Sequence, residues 1–232
     1  MRSAPQTFGS IVIEAVIVSA ILIAMIIETI RQKRVRDQRP LDLQQLSARL
    51  GFNDFNPARD EDFVAGWGFL SRLSRGSNRY AFNVLRGTYH EQALFIFDYH
   101  YQTGSGKNQR ENFGTILMLI EKEVFSQLTI GPANVGEEIA AAFGIGNEIR
   151  FESAEFSRTF CVQSKDKKFA YDVCNTQMME YLLANRGLQI EIQGPVILLA
   201  FEPQLPVGQI EFNLQRLVEI RSRLPEYLFT NA

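Results

Sequence analysis

Ala93-Leu-Phe-Ile-Phe-Asp-Tyr-His-Tyr101 is the stretch from which the architecture is read. Phe95, Phe97, Tyr99 and Tyr101 share one parity, with Asp98 and His100 on the other. A period of two, carried by aromatic residues, is the pattern of a β-strand, here expected over Tyr89 to Tyr101. Upstream, Tyr80, Phe82 and Val84 alternate with polar residues, and Arg86-Gly87 predicts a turn. Downstream, Gly104-Ser-Gly-Lys-Asn108 reads as a hairpin loop. Thr115 to Ile120 is apolar on both parities, as a central strand is, and Ser126 to Ile130 follows as another.

The rest of the chain mixes the two periodicities. A helix is expected over 135–143, stopped at Gly144, and a strand region over Glu148 to Val162. Asp166 opens a helical stretch to Asn185 with Ala170, Cys174, Met178 and Leu182 at i, i+4 spacing, and Thr176 is placed to cap a second segment within it. Leu188, Ile190 and Ile192 alternate with polar partners as in a half-exposed strand. Gly194-Pro195 predicts a turn into the apolar run Val196 to Phe201. Ile210, Leu214, Leu217 and Leu224 form one helical stripe before Pro225. Leu41 to Leu50 reads as a short amphipathic helix, Phe52 to Asp62 as loop, and Phe63 to Leu73 fits either helix or strand. Together these predict an α+β fold: a mostly antiparallel sheet with interspersed helices and a closing C-terminal helix.

One segment does not fit a soluble core. Ile11 to Ile27 reads IVIEAVIVSAILIAMII, and Arg31, Lys33, Arg34, Arg36 and Arg39 follow at once. Residues 10–30 in a helix would cover about 30 Å, the thickness of a hydrocarbon core. Only Arg2 precedes the run, the reverse of a signal peptide, so the positive-inside rule leaves the C-terminal side in the cytoplasm. The expected organisation is a short extracytoplasmic N-terminus (1–9), a transmembrane helix (10–30), a basic juxtamembrane linker (31–40) and a cytoplasmic domain (41–232). The expected location is a bacterial inner membrane, crossed once, with the lipid bilayer as first partner. Ala15 with Ser19, and Ala20 with Ala24, form small-residue rows through which the helix could pair with a second copy. Glu14 is an ionisable residue inside the span and thus a candidate contact, against the alternative of snorkelling to the interface.

The chain has 232 residues, with 24 Lys and Arg against 26 Asp and Glu. Residues 1–40 hold six of those bases and three of those acids, so the remainder is acidic, which argues against a nucleic-acid footprint. Cys161 and Cys174 lack CxxC spacing and read as buried, reduced thiols.

Several runs together resemble a widespread group of uncharacterised bacterial proteins: Asn83-Val-Leu-Arg-Gly87, Phe97-Asp-Tyr-His-Tyr101, Gly104-Ser-Gly-Lys-Asn108, and Ile149-Arg-Phe-Glu-Ser-Ala-Glu-Phe-Ser-Arg158 with Met178-Met-Glu180 downstream. The resemblance covers about residues 44–224. It implies a domain of unknown function, often preceded by one or two membrane helices, and brings no activity, cofactor or catalytic residue. Asn175-Thr176 departs from the Thr-Pro expected at the start of the second helical segment.

The motifs with chemical content weigh lightly. Gly104-Ser-Gly-Lys107 lacks the upstream glycine and following hydroxyl of a phosphate loop and joins two strands. Gly144-Ile-Gly146 is a helix stop and turn. His90 and His100 share a parity with Asp98, but on a straight strand they would stand about 33 Å apart, too far to share an ion. A solvent-facing polar strand face is expected for them. The aromatic row is expected to pack in the core, with its tyrosine end the more exposed. No cofactor or metal is called for. The sequence therefore points to a membrane-anchored, non-catalytic interaction module or accessory subunit of a membrane complex, with a protein partner. The alternatives are a tethered hydrolase using Asp98, His100 and Lys107, and a small-ligand sensor built on the aromatic strand.

Overall fold

The computed structural model describes residues 8–135 and 148–230, with side chains from residue 16 onward, apart from 32, 35 and 135. The chain divides into two units, Met1–Asp42 and Leu43–Ala232.

Helix α1 runs without interruption from Phe8 to Arg49. Residues 31–40 are therefore helical, and the short helix expected at Leu41 is the end of α1. Its described apolar run, Val16–Ile27, covers about 18 Å and is closed by Glu28, Arg31 and Lys33. Among the described residues no helix is long and apolar enough to cross a membrane. The span expected over 10–30 is thus not supported there, since its first turns lie outside the described side chains.

The second unit is built on one six-stranded antiparallel sheet. Its strands are β1 (Asp54–Asn56), β2 (Ser77–Tyr89), β3 (Gln92–Thr103), β4 (Arg110–Pro132), β5 (Phe160–Ser164) and β6 (Gln189–Phe201). They follow the order β1-β2-β3-β4-β5, and β6 lies along the other edge of β4. The α+β class expected from the sequence is observed. The two strands expected at 115–120 and 126–130 are one strand, β4, of 23 residues. The turn expected at Arg86-Gly87 lies instead at His90-Glu91, both at positive φ (47° and 67°), between the paired Tyr89 and Gln92. A two-residue hairpin with both central residues at positive φ matches the twist of its strands. Gly194-Pro195 is not a turn: β6 continues through it, with Gly194 at φ 57° opposite the bulged stretch of β4.

Among the described residues five further helices decorate the sheet: α2 (Glu61–Gly66), α3 (Ala154–Thr159), α4 (Lys167–Val173), α5 (Thr176–Ala184) and α6 (Val207–Ser222). Capping explains four of these starts, the first through Asp60, whose side chain accepts from the N–H of Phe63. The side chains of Ser153, Asp166 and Asn175 accept from the backbone N–H three residues on. Ser153 turns part of the strand region expected over 148–162 into α3. Asn175, not Thr176, caps α5. The helix expected over 135–143 and the Gly144-Ile-Gly146 turn lie outside the described residues, except Val135, which ends a single turn from Ala133.

Alternate residues of the same strands feed two cores, as the pleat demands. Leu94, Ile96, Leu117, Leu119, Ile197 and Leu199 pack with α3 to α6 and the end of α1 on one face. Phe97, Tyr99, Tyr101, Ile116, Met118, Val196 and Leu198 pack on the other beneath residues 63–73. On α6, Ile210, Leu214 and Leu217 are fully buried, so this helix closes the larger core as its stripe predicts. Cys161 and Cys174 are free and buried, and burial raises both thiol pKa values.

Candidate functional site

The N-terminal unit contributes an apolar surface followed by a basic one. Ten large apolar side chains between Val16 and Ile30 are each more than half exposed. Ser19, Ala20 and Ala24 are exposed on the same helix, and the side chains of Glu14 and Ala15 lie outside the described set. Arg31 pairs with Glu28 at 3.8 Å, and Lys33, Arg34 and Arg36 are exposed, with Arg39 half-buried.

Asp98 and His100 are not on a solvent-facing surface. They are 1% and 2% exposed, on the helix-covered side of β3. A bulge in β2 creates this setting. Asn83, at φ 52°, is the extra residue between the pairs Phe82–Asp98 and Leu85–Ile96, and its amide donates to Asp98 at 2.9 Å. Thr115 donates to the other carboxylate oxygen at 2.9 Å. Its hydroxyl also accepts from the N–H of Leu205 at 3.0 Å. Asp98 thus ties β2, β3, β4 and the lead-in to α6 together.

His100 is held as firmly. Its ring stacks on Tyr80 with centroids 4.4 Å apart and meets Phe113 at 4.9 Å. Nδ1 faces the carbonyl of Asn78 at 2.9 Å, and Nε2 faces the carboxylate of exposed Glu111. The donors His100 and Gln102 hold the Glu111 carboxyl below its ordinary range. Both ring nitrogens face acceptors, so an imidazolium satisfies both and a neutral ring only one. Lys107 stands exposed in the single turn Gly106–Asn108, beyond the end of β3. The structure therefore places Asp98 and His100 in two separate packed networks and Lys107 at the hairpin tip. His90 occupies the opposite turn of β3.

The other sheet face carries a carboxylate that sequence periodicity places half in solvent. Glu191 is fully buried, and its two oxygens accept from the N–H groups of Ser71 at 2.6 Å and Arg72 at 3.1 Å. Burial raises its pKa, while those donors and the Arg72 charge oppose the rise. Arg72 is itself lowered by burial. Glu191 stands across β4 and β5 in one row with Thr129 and Gln163. Both are buried, and the Thr129 hydroxyl and the Gln163 carbonyl have no hydrogen-bond partner. The aromatic row lies on this face. Tyr101, expected at the exposed end, is 4% exposed. Its hydroxyl donates to Glu202 at 2.9 Å, and the Arg75 guanidinium lies 5.4 Å from its ring. Gly76, at φ 63°, closes this corner: a Cβ there would sit 2.1 Å from the Gln102 carbonyl oxygen.

Asn83, Thr115, Glu111 and Glu191 are the polar partners that sequence reasoning missed. Asn83 had no signal, since a polar residue between Phe82 and Val84 is ordinary strand alternation. Glu191 had none, because its alternation with Ile190 and Ile192 is that of any half-exposed strand. Among the described residues no group of three or more His, Cys, Asp or Glu side chains could hold a metal ion.

No family model and no curated protein matches the chain. The crystal structure of the mycobacterial trehalose monomycolate transport factor A, TtfA, superposes on it with a TM-score of 0.55 at 14% identity, covering 81% of this chain and 97% of that one. At that identity the likeness is one of fold alone.

Proposed function

We propose that this protein is a membrane-tethered, non-catalytic accessory module whose folded domain engages a protein of a membrane complex. The observation that carries the proposal is the described run Val16–Ile27, apolar around the helix and more than half exposed at nine large side chains. A helix apolar on all sides has to be covered by lipid or protein. The basic residues Arg31, Lys33, Arg34, Arg36 and Arg39 follow it, which favours a single pass through a bacterial inner membrane with the larger unit in the cytoplasm. Asp98 and His100 are engaged in packed networks, so the hydrolase alternative draws no support from them. The fold shared with a transport factor favours an accessory role in transport across or along the membrane. The family resemblance, with its membrane helices ahead of a domain of unknown function, is in keeping with this.

Affinity purification of the full-length protein from its native membrane tests the proposal. It expects a stoichiometric membrane-protein partner and retention in the membrane after alkaline carbonate washing. Release by carbonate would overturn the anchor. Hydrolytic turnover lost on Asp98→Asn, with the fold intact, would overturn the non-catalytic assignment. A reporter fused after Ala232 that is active only when exported should stay silent. Replacing the five basic residues with glutamine should weaken that orientation.

A further inference from the structure

The five basic residues after the apolar run stand on a helix, because α1 continues through them to Arg49. The helix therefore sets how they are distributed around its axis. At about 100° per residue, Arg31, Lys33, Arg34 and Arg36 lie at about 0°, 200°, 300° and 140°. Arg39, at about 80°, fills the widest interval, and no gap then exceeds about 100°. The bases form a ring and not a stripe. Between residues 31 and 39 a single acid, Asp37, accompanies them.

The ring is open to an outside partner. Lys33, Arg34 and Arg36 are exposed. Arg31 meets Glu28 at 3.8 Å, with both side chains more than half in solvent, and such a surface pair holds its members weakly. We propose that this ring binds the phosphates of anionic phospholipids and so selects the lipids that surround the helix. The inference rests on the membrane anchor proposed above and names the lipid class that the anchor contacts.

Three observations favour that occupant. A protein docks against one side of a helix, whereas charge on every side suits a partner that encircles it. The height also fits: from Arg31 to Arg36 the helix climbs about 7.5 Å, and one headgroup layer is about 5–8 Å deep. Clustered bases directly after an apolar helix are drawn to anionic headgroups, and guanidinium groups pair with phosphate through two parallel hydrogen bonds. Residues 41–232 hold more acids than bases and add no attraction to an anionic surface. The preference therefore belongs to the ring.

The test uses the full-length chain, delipidated in detergent so that orientation plays no part. It is titrated with equal amounts of phosphatidylglycerol and phosphatidylcholine of the same acyl chains, and native mass spectrometry counts the lipids bound. Phosphatidylglycerol should be preferred at least about fivefold, the worth of one base at an anionic surface. The preference should shrink as salt is raised. Asp37→Asn should increase it. Replacing the five bases with glutamine should bring it to parity while phosphatidylcholine still binds. Equal binding of the two lipids by the wild type, with retention after carbonate washing, would overturn the ring and leave the anchor standing. Release by carbonate would overturn both. Displacement of phosphatidylglycerol by a few millimolar inorganic phosphate would assign the ring to a free anion instead. Loss of the stoichiometric protein partner in the glutamine variant, with lipid preference unchanged, would assign it to that protein instead.

Discussion

The two faces of the sheet are closed by different means. On one, α3 to α6 and the end of α1 lay a continuous apolar layer over Leu94, Ile96, Leu117, Leu119 and Leu199. On the other, the short α2 and the turns after it cover the aromatic row, and their backbone is fastened to the sheet by the Glu191 carboxylate. Apolar burial is spread over many side chains, each contributing on the order of 1.5–3 kcal/mol. A polar clip concentrates its contribution in a few bonds, and losing one partner strands the others without water. The first face should therefore fail only with the whole fold. The second should open locally.

The sharpest break of this contrast is Leu214→Ala, in the larger core, which should cost about 2–5 kcal/mol in chemical denaturation. A loss below about 1 kcal/mol would mean that α6 is not part of the core. Glu191→Ala should cost about 1–3 kcal/mol by orphaning the N–H groups of Ser71 and Arg72. Its mark is regional: hydrogen exchange should quicken across residues 61–74 while α6 stays protected. Uniform quickening would show that the two faces open together. Acidification sharpens the picture at β3. Glu111 titrates below its ordinary 4.5 because His100 and Gln102 donate to it. A depressed carboxylate contributes stability above the unfolded value and loses it as pH falls through the folded one. Melting temperature should thus fall more between about pH 6 and pH 3 in the wild type than in Glu111→Gln. The smallest effects belong to His90→Gln and Lys107→Ala, at the two tips of β3, each within about 0.5 kcal/mol.

The class of fold was legible because alternation survives any exact boundary. Phe95 to Tyr101 and Val196 to Phe201 could only be strands, and the stripe from Ile210 to Leu217 only a helix. The places where the sequence misled are places where one residue adopts a conformation its type does not announce. His90-Glu91 turns the chain without glycine, while Gly87 and Gly194, the expected signals, sit inside strands. Asp98 and His100 looked solvated because strand parity says which side of a sheet a residue takes, not what covers that side. Glu191 was invisible for the same reason. Its partners are backbone N–H groups 119 and 120 residues away, and backbone donors carry no side-chain signature.

The length of β4 has a consequence for how the molecule is made. On the ribosome β3 emerges just before β4, but β6, which must line its other edge, begins at Gln189, nearly sixty residues after Pro132. At about 5–20 residues per second, synthesis of that interval takes roughly 3–12 s. Throughout it, Ile116 to Ile120 present an unmated edge of apolar residues to the nascent surroundings. The N-terminal helix has by then long left the exit tunnel. Synthesis of α1 therefore long precedes completion of the sheet, whose longest strand waits with one edge bare for its last neighbour.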